Sequence, residues 1–416
     1  MKRLAFSGYC LAACWLILLS CKKEVGQPEP VVPPIVIDTA SIDLTQLKFS
    51  VAAAPEWTQL LTRTSGWIGG DGIFSIPQSG VDATGAGSTD KTLIVFSDTQ
   101  IGEIVNGGLV PGWTIINNSV AVLEGNEPLS SKLNFHWKNN LLNKPASVFV
   151  PNTPLAMEGD YFWLGDGFVN HESNNETVIL GYKIRTVNSG FGFSVAGSSI
   201  ITIPAGSAPP FVDAQQQDAP LFVEGDRLDN GYAFGAGLMV NTVKAGAPKP
   251  DGYVYVYGVK NMPGLLNKGL MVARVKPAEF KDFSKWRVWD GTGFNLSIND
   301  LKNATVVTDR VSDELSMTPI PDGRYALVFQ SDVWGSVGLR LANTPYGPFG
   351  PVIPLWDCKE ALTGKDYFAY NAKAHPSLSK QGELLISFNI NSFNYFNDLQ
   401  SDPNLYRPRF IKLTFL

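Results

Sequence analysis

The sequence predicts an all-β fold, a five-bladed β-propeller, on three observations. Glycine (Gly 40) and proline (Pro 28) punctuate short apolar runs in a 416-residue chain, and long helical periodicity is scarce. The charged fraction is only 17%, so many strands are expected to be buried on both faces. Third, a loose unit recurs about five times: an apolar strand with a polar residue near its start, a turn, then a Tyr- or Phe-rich strand. One such unit cannot bury both faces alone, so the units must close on one another. Two packed β-sandwiches are the runner-up. The likeness of the units and the lack of a dividing linker favour the propeller.

The chain begins with Lys2 and Arg3, then an apolar run from Leu11 to Leu19. This pattern predicts a secretory signal over residues 1–20. Ser20-Cys21 before Lys22-Lys23 has the form of a bacterial lipobox, with Cys21 as the lipid-bearing residue. The expectation is an exported protein, lipid-anchored to a bacterial outer membrane on its periplasmic or cell-surface side. The lipid is then the only membrane contact. Residues 21–42 are rich in Pro, Val and Glu and should be an extended tether. A single domain is expected over residues 43–416. Cys10 and Cys14 leave with the signal, so Cys358 alone remains and neither a disulfide nor a thiolate metal centre can form. Cys358 reads as a small core residue.

Within the domain a strand is expected over residues 44–52. The first unit is a hairpin over residues 69–102, with apolar strands either side of a Gly/Ser/Asp loop. It carries Asp71 near the start of one strand and Asp98 at the end of the other, so the two should meet at one sheet edge. The second unit pairs residues 117–122 with 161–167 and bears insertions over 124–150 and 191–217. The third pairs 232–241 with 251–258, the fourth 313–318 with 324–330, and the fifth 374–378 with 383–391.

Polar residues on the inner strands of such a ring would face one channel. The candidates are Asp71, Asp98, Asn118, Asp166, Glu314 and His375. Glycoside hydrolysis needs one protonated carboxyl for the leaving oxygen and one ionised carboxylate as base or nucleophile. Carboxyls crowded together separate their own pKa values and so divide those roles. Glu314 is the expected acid, Asp71 the base or nucleophile, and Asp98 the residue that orients or tunes it. Asn118, Asp166 and His375 are expected to bind substrate. No zinc spacing such as H-E-x-x-H, no P-loop and no Gly-x-Ser-x-Gly elbow occurs. No cofactor is expected, with an oxygen-bound calcium ion or a water in the channel left open. The net charge of −5 argues against nucleic acid. A carbohydrate polymer is the expected partner of a monomeric chain. Most of the tryptophans, among them Trp67, Trp113, Trp163, Trp286 and Trp289, should be packing residues. A non-catalytic glycan-binding lipoprotein is the alternative.

Several segments resemble secreted proteins described as domain of unknown function 4185. They are Asp71-Gly72, Phe74-Ser75-Ile76-Pro77, Phe96-Ser97-Asp98-Thr99-Gln100-Ile101-Gly102, Asn118-Ser119, Tyr253 to Gly258, Ala273-Arg274-Val275, Thr344-Pro345-Tyr346-Gly347-Pro348-Phe349 and Ala372-Lys373-Ala374-His375-Pro376-Ser377-Leu378-Ser379. The resemblance implies a propeller, a carbohydrate substrate and arabinanase-like hydrolysis, since some members are endo-acting D-arabinanases. It also implies a substrate-binding role for Arg274. Ser97 and Asn117 depart from the pattern, which has Gly and His there.

Overall fold

A computed structural model describes residues 43–188, 192–225, 231–263, 267–332 and 335–416. The expected signal, Cys21 and the tether to residue 42 lie outside the described residues. The chain is all-β, with the two α-helices among the described residues, Pro55–Leu60 and Tyr395–Ser401, both short.

Five antiparallel sheets follow one another along the chain. The first runs Phe74–Pro77, Lys91–Phe96, Ser119–Glu124, Leu133–His136, and the second Tyr161–Asn170, Glu176–Thr186, Phe193–Ile203, Gln215–Ala219. The third has six strands, centred on Tyr232–Asn241, Tyr253–Asn261 and Lys268–Val275. The fourth runs Leu315–Pro319, Tyr325–Gln330, Ser336–Ala342, Ile353–Asp357. The fifth takes Tyr367–Ala374, Glu383–Ser392 and Arg409–Phe415 from the C-terminal end and Phe49–Ala53 from the N-terminal end. Phe49 to Ala53 pair with Phe415 to Ile411, so the two ends of the domain are locked into one sheet. A smaller sheet is built on Ser65–Gly70 and Thr99–Val105, and a two-stranded ladder on Lys138–Asn139 and Pro145–Ala146.

Alternation explains how the sheets pack. Val254 and Val256 face the core shared with the second sheet, whereas Tyr255 and Tyr257, their chain neighbours, face the core shared with the fourth. In the same way Leu327 and Phe329 pack toward the third sheet, and Ala326 and Val328 toward the fifth. Leu93 and Val95 pack toward the second sheet, while Ile94 and Phe96 pack with Leu385 and Phe410 of the fifth. Both faces of each central strand are therefore apolar, which accounts for the low charge. Each large side chain so buried contributes about 1.5–3 kcal/mol.

Three boundaries differ from the sequence reading. The hairpin over 69–102 is divided: Ser65–Gly70 pairs with Thr99–Val105, and Phe74–Pro77 pairs with Lys91–Phe96. Positive φ at Gly72 (59°) makes the break between them. Residues 119–124 complete the first sheet rather than opening a second unit. The inner strand of the fifth sheet is Tyr367–Ala374, so His375 follows that strand rather than opening one, and Pro376–Leu378 is a short 3-10 turn.

Close inter-sheet packing makes one glycine indispensable. A Cβ on Gly167 would lie 2.4 Å from the Val178 carbonyl oxygen and 2.6 Å from Ile76 Cδ1. Gly167→Ala is expected to lower stability by about 2 kcal/mol through overpacking, read as a lower urea midpoint at unchanged m-value.

Candidate active site

The site is assembled where the first, fourth and fifth sheets meet. Gly69 and Gly70 allow the chain to approach residue 406: Gly70 N–H donates to the Tyr406 carbonyl (3.0 Å), and a Cβ on Gly69 would stand 2.4 Å from that oxygen. A Cβ on Gly72 would sit 2.5 Å from Ser97 Oγ. These glycines press Asp71 against the Ser97-Asp98 turn. The Asp71 N–H donates to the Asp98 carbonyl (3.2 Å), and the Ser97 N–H donates to the Asp71 carbonyl (2.8 Å). The two aspartates are thus adjacent across a backbone pair, at one edge of the first sheet.

Their side chains have different company. Asp71 Oδ2 accepts a hydrogen bond from the Tyr370 hydroxyl at 2.8 Å. Burial pushes the Asp71 carboxyl up, while the Tyr406 and Tyr370 hydroxyls and the Lys373 ammonium draw it back. Asp98 Oδ1 accepts from Asn117 Nδ2 at 3.2 Å. Burial, then the charge of Asp71, raises Asp98 to about 7, against the opposing pull of the Trp163 indole and Asn117. When one charge is shared by this pair, the hydroxyl donors place it on Asp71.

Glu314 comes from the fourth sheet, one residue before the strand Leu315–Pro319. Asn371 Nδ2 donates to its Oε1 at 2.8 Å, and Lys373 forms an ion pair with its Oε2. Burial raises Glu314 to about 7 even though Lys373 opposes it, and the charge of Asp71 adds to the rise. Asp71 and Glu314 therefore share one electrostatic neighbourhood. The Lys373 ammonium also lies over the Phe74 ring, 4.4 Å from its centroid.

Tyr370, Asn371 and Lys373 stand on the inner strand of the fifth sheet, at a bulge between Tyr370 and Lys373. Asn371 has φ of 59° there, a conformation that Asn tolerates better than most residues. The bulge re-aims successive side chains, so Tyr370 reaches Asp71 while Asn371 and Lys373 reach Glu314. Sequence reasoning missed this trio and Tyr406. The available signal was a strand that carries Asn371 and Lys373 among aromatic and small residues.

The other expected site residues lie elsewhere. Asp166 sits within the inner strand of the second sheet and accepts from Gly167 N–H (2.8 Å) and Leu238 N–H (2.7 Å). Burial, foremost, raises it to about 7. It lines, with Leu238, Met239, Met317 and Thr318, a cavity of about 350 Å³, and the charge of Lys373 reaches it. Two expectations meet groups already engaged by protein, and Arg274 stands apart from the carboxyls. Asn118 is fully buried and its amide is spent on the backbone of Phe149 and Phe162. His375 is 1% exposed, with its ring nitrogens on Ser75 Oγ (3.1 Å) and Ser387 Oγ (2.7 Å). Burial and Lys373 hold it down at about 3, so it is a neutral tie between the first and fifth sheets. Arg274 lies on Lys268–Val275, two strands from Tyr232–Asn241 in the third sheet, with its guanidinium 4.1 Å from the ring centroids of both Tyr253 and Phe294. Neither Asn118 nor His375 offers a free polar group to a substrate. Cys358 is a buried free thiol, raised to about 12 by burial. Among the described residues no group of three or more His, Cys, Asp or Glu is placed to hold a metal ion.

A family model described as domain of unknown function (DUF5005) matches residues 55–415. This corrects the resemblance to domain of unknown function 4185, whose short motifs are scattered through the chain and do not fix a family. Among solved structures, a Bacteroides ovatus protein described only as a candidate hydrolase is similar at 20% identity and TM-score 0.64, over 94% of this chain and 97% of that one. That likeness shows a shared fold. A family 117 glycoside hydrolase from Zobellia galactanivorans is 11% identical over 88% of this chain and 90% of that one, with TM-score 0.42. An exo-1,5-α-L-arabinanase from a bovine ruminal metagenomic library is 10% identical over 84% and 93%, with TM-score 0.41. No curated protein matches.

Proposed function

The chain belongs to the DUF5005 family, and from that premise we propose that it is a glycoside hydrolase whose five large sheets are the blades of a propeller. One observation carries this reading: Asp71, Asp98 and Glu314 stand in one neighbourhood in which burial lifts all three carboxyls. A carboxyl near 7 is a proton donor at neutral pH, and a neighbour whose anionic form accepts from two hydroxyls serves as proton acceptor or nucleophile. The fold shared with the Bacteroides ovatus candidate hydrolase agrees with this class.

Glu314 gives its proton to the glycosidic oxygen as the C–O bond breaks. Asp71 takes the proton of the water that attacks the anomeric carbon, or itself attacks that carbon first. The net change adds hydrogen to the leaving oxygen and hydroxyl to the anomeric carbon. Asp98, protonated when Asp71 is charged, keeps the pair at a single charge. An arabinan-type furanose polymer is the proposed substrate, and Cys21 the proposed lipid anchor on the outside of a bacterial membrane.

The test is release of reducing ends from a panel of arabinans, xylans, galactans and mannans. The protein is expected to cleave one of them, and Asp71→Asn to lower that rate about 10³-fold with binding retained. Binding of a glycan that is never cleaved would replace the hydrolase by a glycan-binding protein.

A further inference from the structure

The carboxylates are flanked on both sides by aromatic residues whose ring faces the hydrolytic chemistry does not use. On the second sheet, Trp163 faces Asp98. Its ring meets Tyr161 at 6.3 Å and Phe193 at 4.7 Å, and Phe193 is 39% exposed. On the fifth sheet, Tyr370 binds Asp71 and its ring meets Phe368 at 5.5 Å. Phe368 in turn meets Phe393 at 4.6 Å. The helix Tyr395–Ser401 adds Phe396, whose ring is 5.1 Å from Tyr395. Gln100 Nε2 donates to the Tyr395 hydroxyl at 2.6 Å, which ties that helix to the strand leaving Asp98. Phe393 and Phe396 are 61% and 66% exposed.

The first sheet touches the second through Ser97 and Leu164, and the fifth through Ser75 and His375. Asp71 and Asp98 therefore lie between the two aromatic groups. We infer that these groups are platforms on which sugar rings stack on both sides of the scissile bond. The ligand is an extended polysaccharide gripped at internal residues, and cleavage falls within the chain. This inference rests on the hydrolase reading for the bond that breaks, but not for the stacking itself. Sugar rings present apolar C–H faces, and an exposed aromatic ring buries them at little entropic cost. A protein partner would call for one contiguous apolar patch, whereas these rings form two small groups parted by buried carboxylates.

The experiment uses electrophoresis through gels containing soluble arabinan, xylan, galactan or mannan, with product sizing on whichever is cleaved. Wild type should be retarded by one polysaccharide and release oligosaccharides before monosaccharides. Phe193→Ala and Phe396→Ala should each weaken retardation about tenfold, which corresponds to about 1.4 kcal/mol, and Phe396→Trp should preserve it. Wild-type affinity in either alanine variant, or monosaccharides as the first product, overturns the inference and leaves the hydrolase standing. Weakened binding by both variants with no cleavage by wild type supports the platforms and overturns the hydrolase alone. No retardation by any of the four overturns the inference, and no cleavage of any of them overturns the hydrolase.

Discussion

Glu314→Gln is expected to lower kcat by about 10³-fold on the glycan that wild type cleaves, with the affinity for that glycan nearly unchanged. General acid catalysis contributes a factor of about 10²–10⁴, and an amide has no proton to give at the leaving oxygen. The substitution is mild in shape, and the amide oxygen still accepts the Asn371 hydrogen bond now made at 2.8 Å. The pH profile separates lost chemistry from lost structure. Glu314 is held near 7 by burial, so its acid form persists to neutral pH and wild-type kcat should fall as pH rises through about 7. The opposite limb belongs to the Asp71–Asp98 pair, which must keep one charge. In Glu314→Gln the part of the alkaline limb that Glu314 supplies should vanish from the residual rate, and what remains should report Asp98, which also titrates at about 7. A substrate whose leaving group needs no protonation, such as a nitrophenyl glycoside, should recover most of the rate. A glutamine variant that keeps the wild-type rate would move the acid to another residue.

How much of this was legible in the sequence follows from what kind of force fixes each part. The strands were legible because alternation is a local property. Tyr253–Asn261 shows Val and Tyr in turn, and that pattern survives whichever core each face meets. The meeting of Asp71 with Asp98 was legible because a short antiparallel pairing brings both ends of a hairpin to one edge. Unit boundaries were less legible. Ser119–Glu124 looks like any inner strand, and only its pairing with Lys91–Phe96 assigns it to the first sheet. The grouping of Tyr370, Asn371 and Lys373 was hidden because it depends on a bulge, which inserts residues without a sequence signature of its own. His375 and Asn118 misled for a related reason. A polar residue near a strand end is as well suited to tying two sheets together as to facing a channel. Both are buried, with their polar atoms fully engaged by protein.

Lys373→Met is the second change expected to have a large effect, and it bears on stability more than on rate. Lys373 is 1% exposed, paired with Glu314 and stacked on Phe74. Methionine keeps most of the stem's volume but removes the charge that holds Glu314 down. Removing one partner of a buried ion pair costs about 3 kcal/mol when the other charge stays behind. The sign with pH follows from Glu314. Its folded pKa lies above the ordinary glutamate value of 4.5, so the folded state binds the proton more tightly. Stability therefore falls as pH rises from the unfolded pKa toward the folded one, in wild type between 4.5 and about 7. Without Lys373 the folded pKa climbs further, and the fall continues above 7. The two proteins should accordingly differ little in urea midpoint near pH 5 and by about 3 kcal/mol at about pH 9. The same substitution made on Glu314→Gln should lose this pH dependence, since the pair then has no charge to strand. An equal difference at both pH values would mean that Lys373 acts through packing, and would remove the electrostatic link between the fifth sheet and the acid.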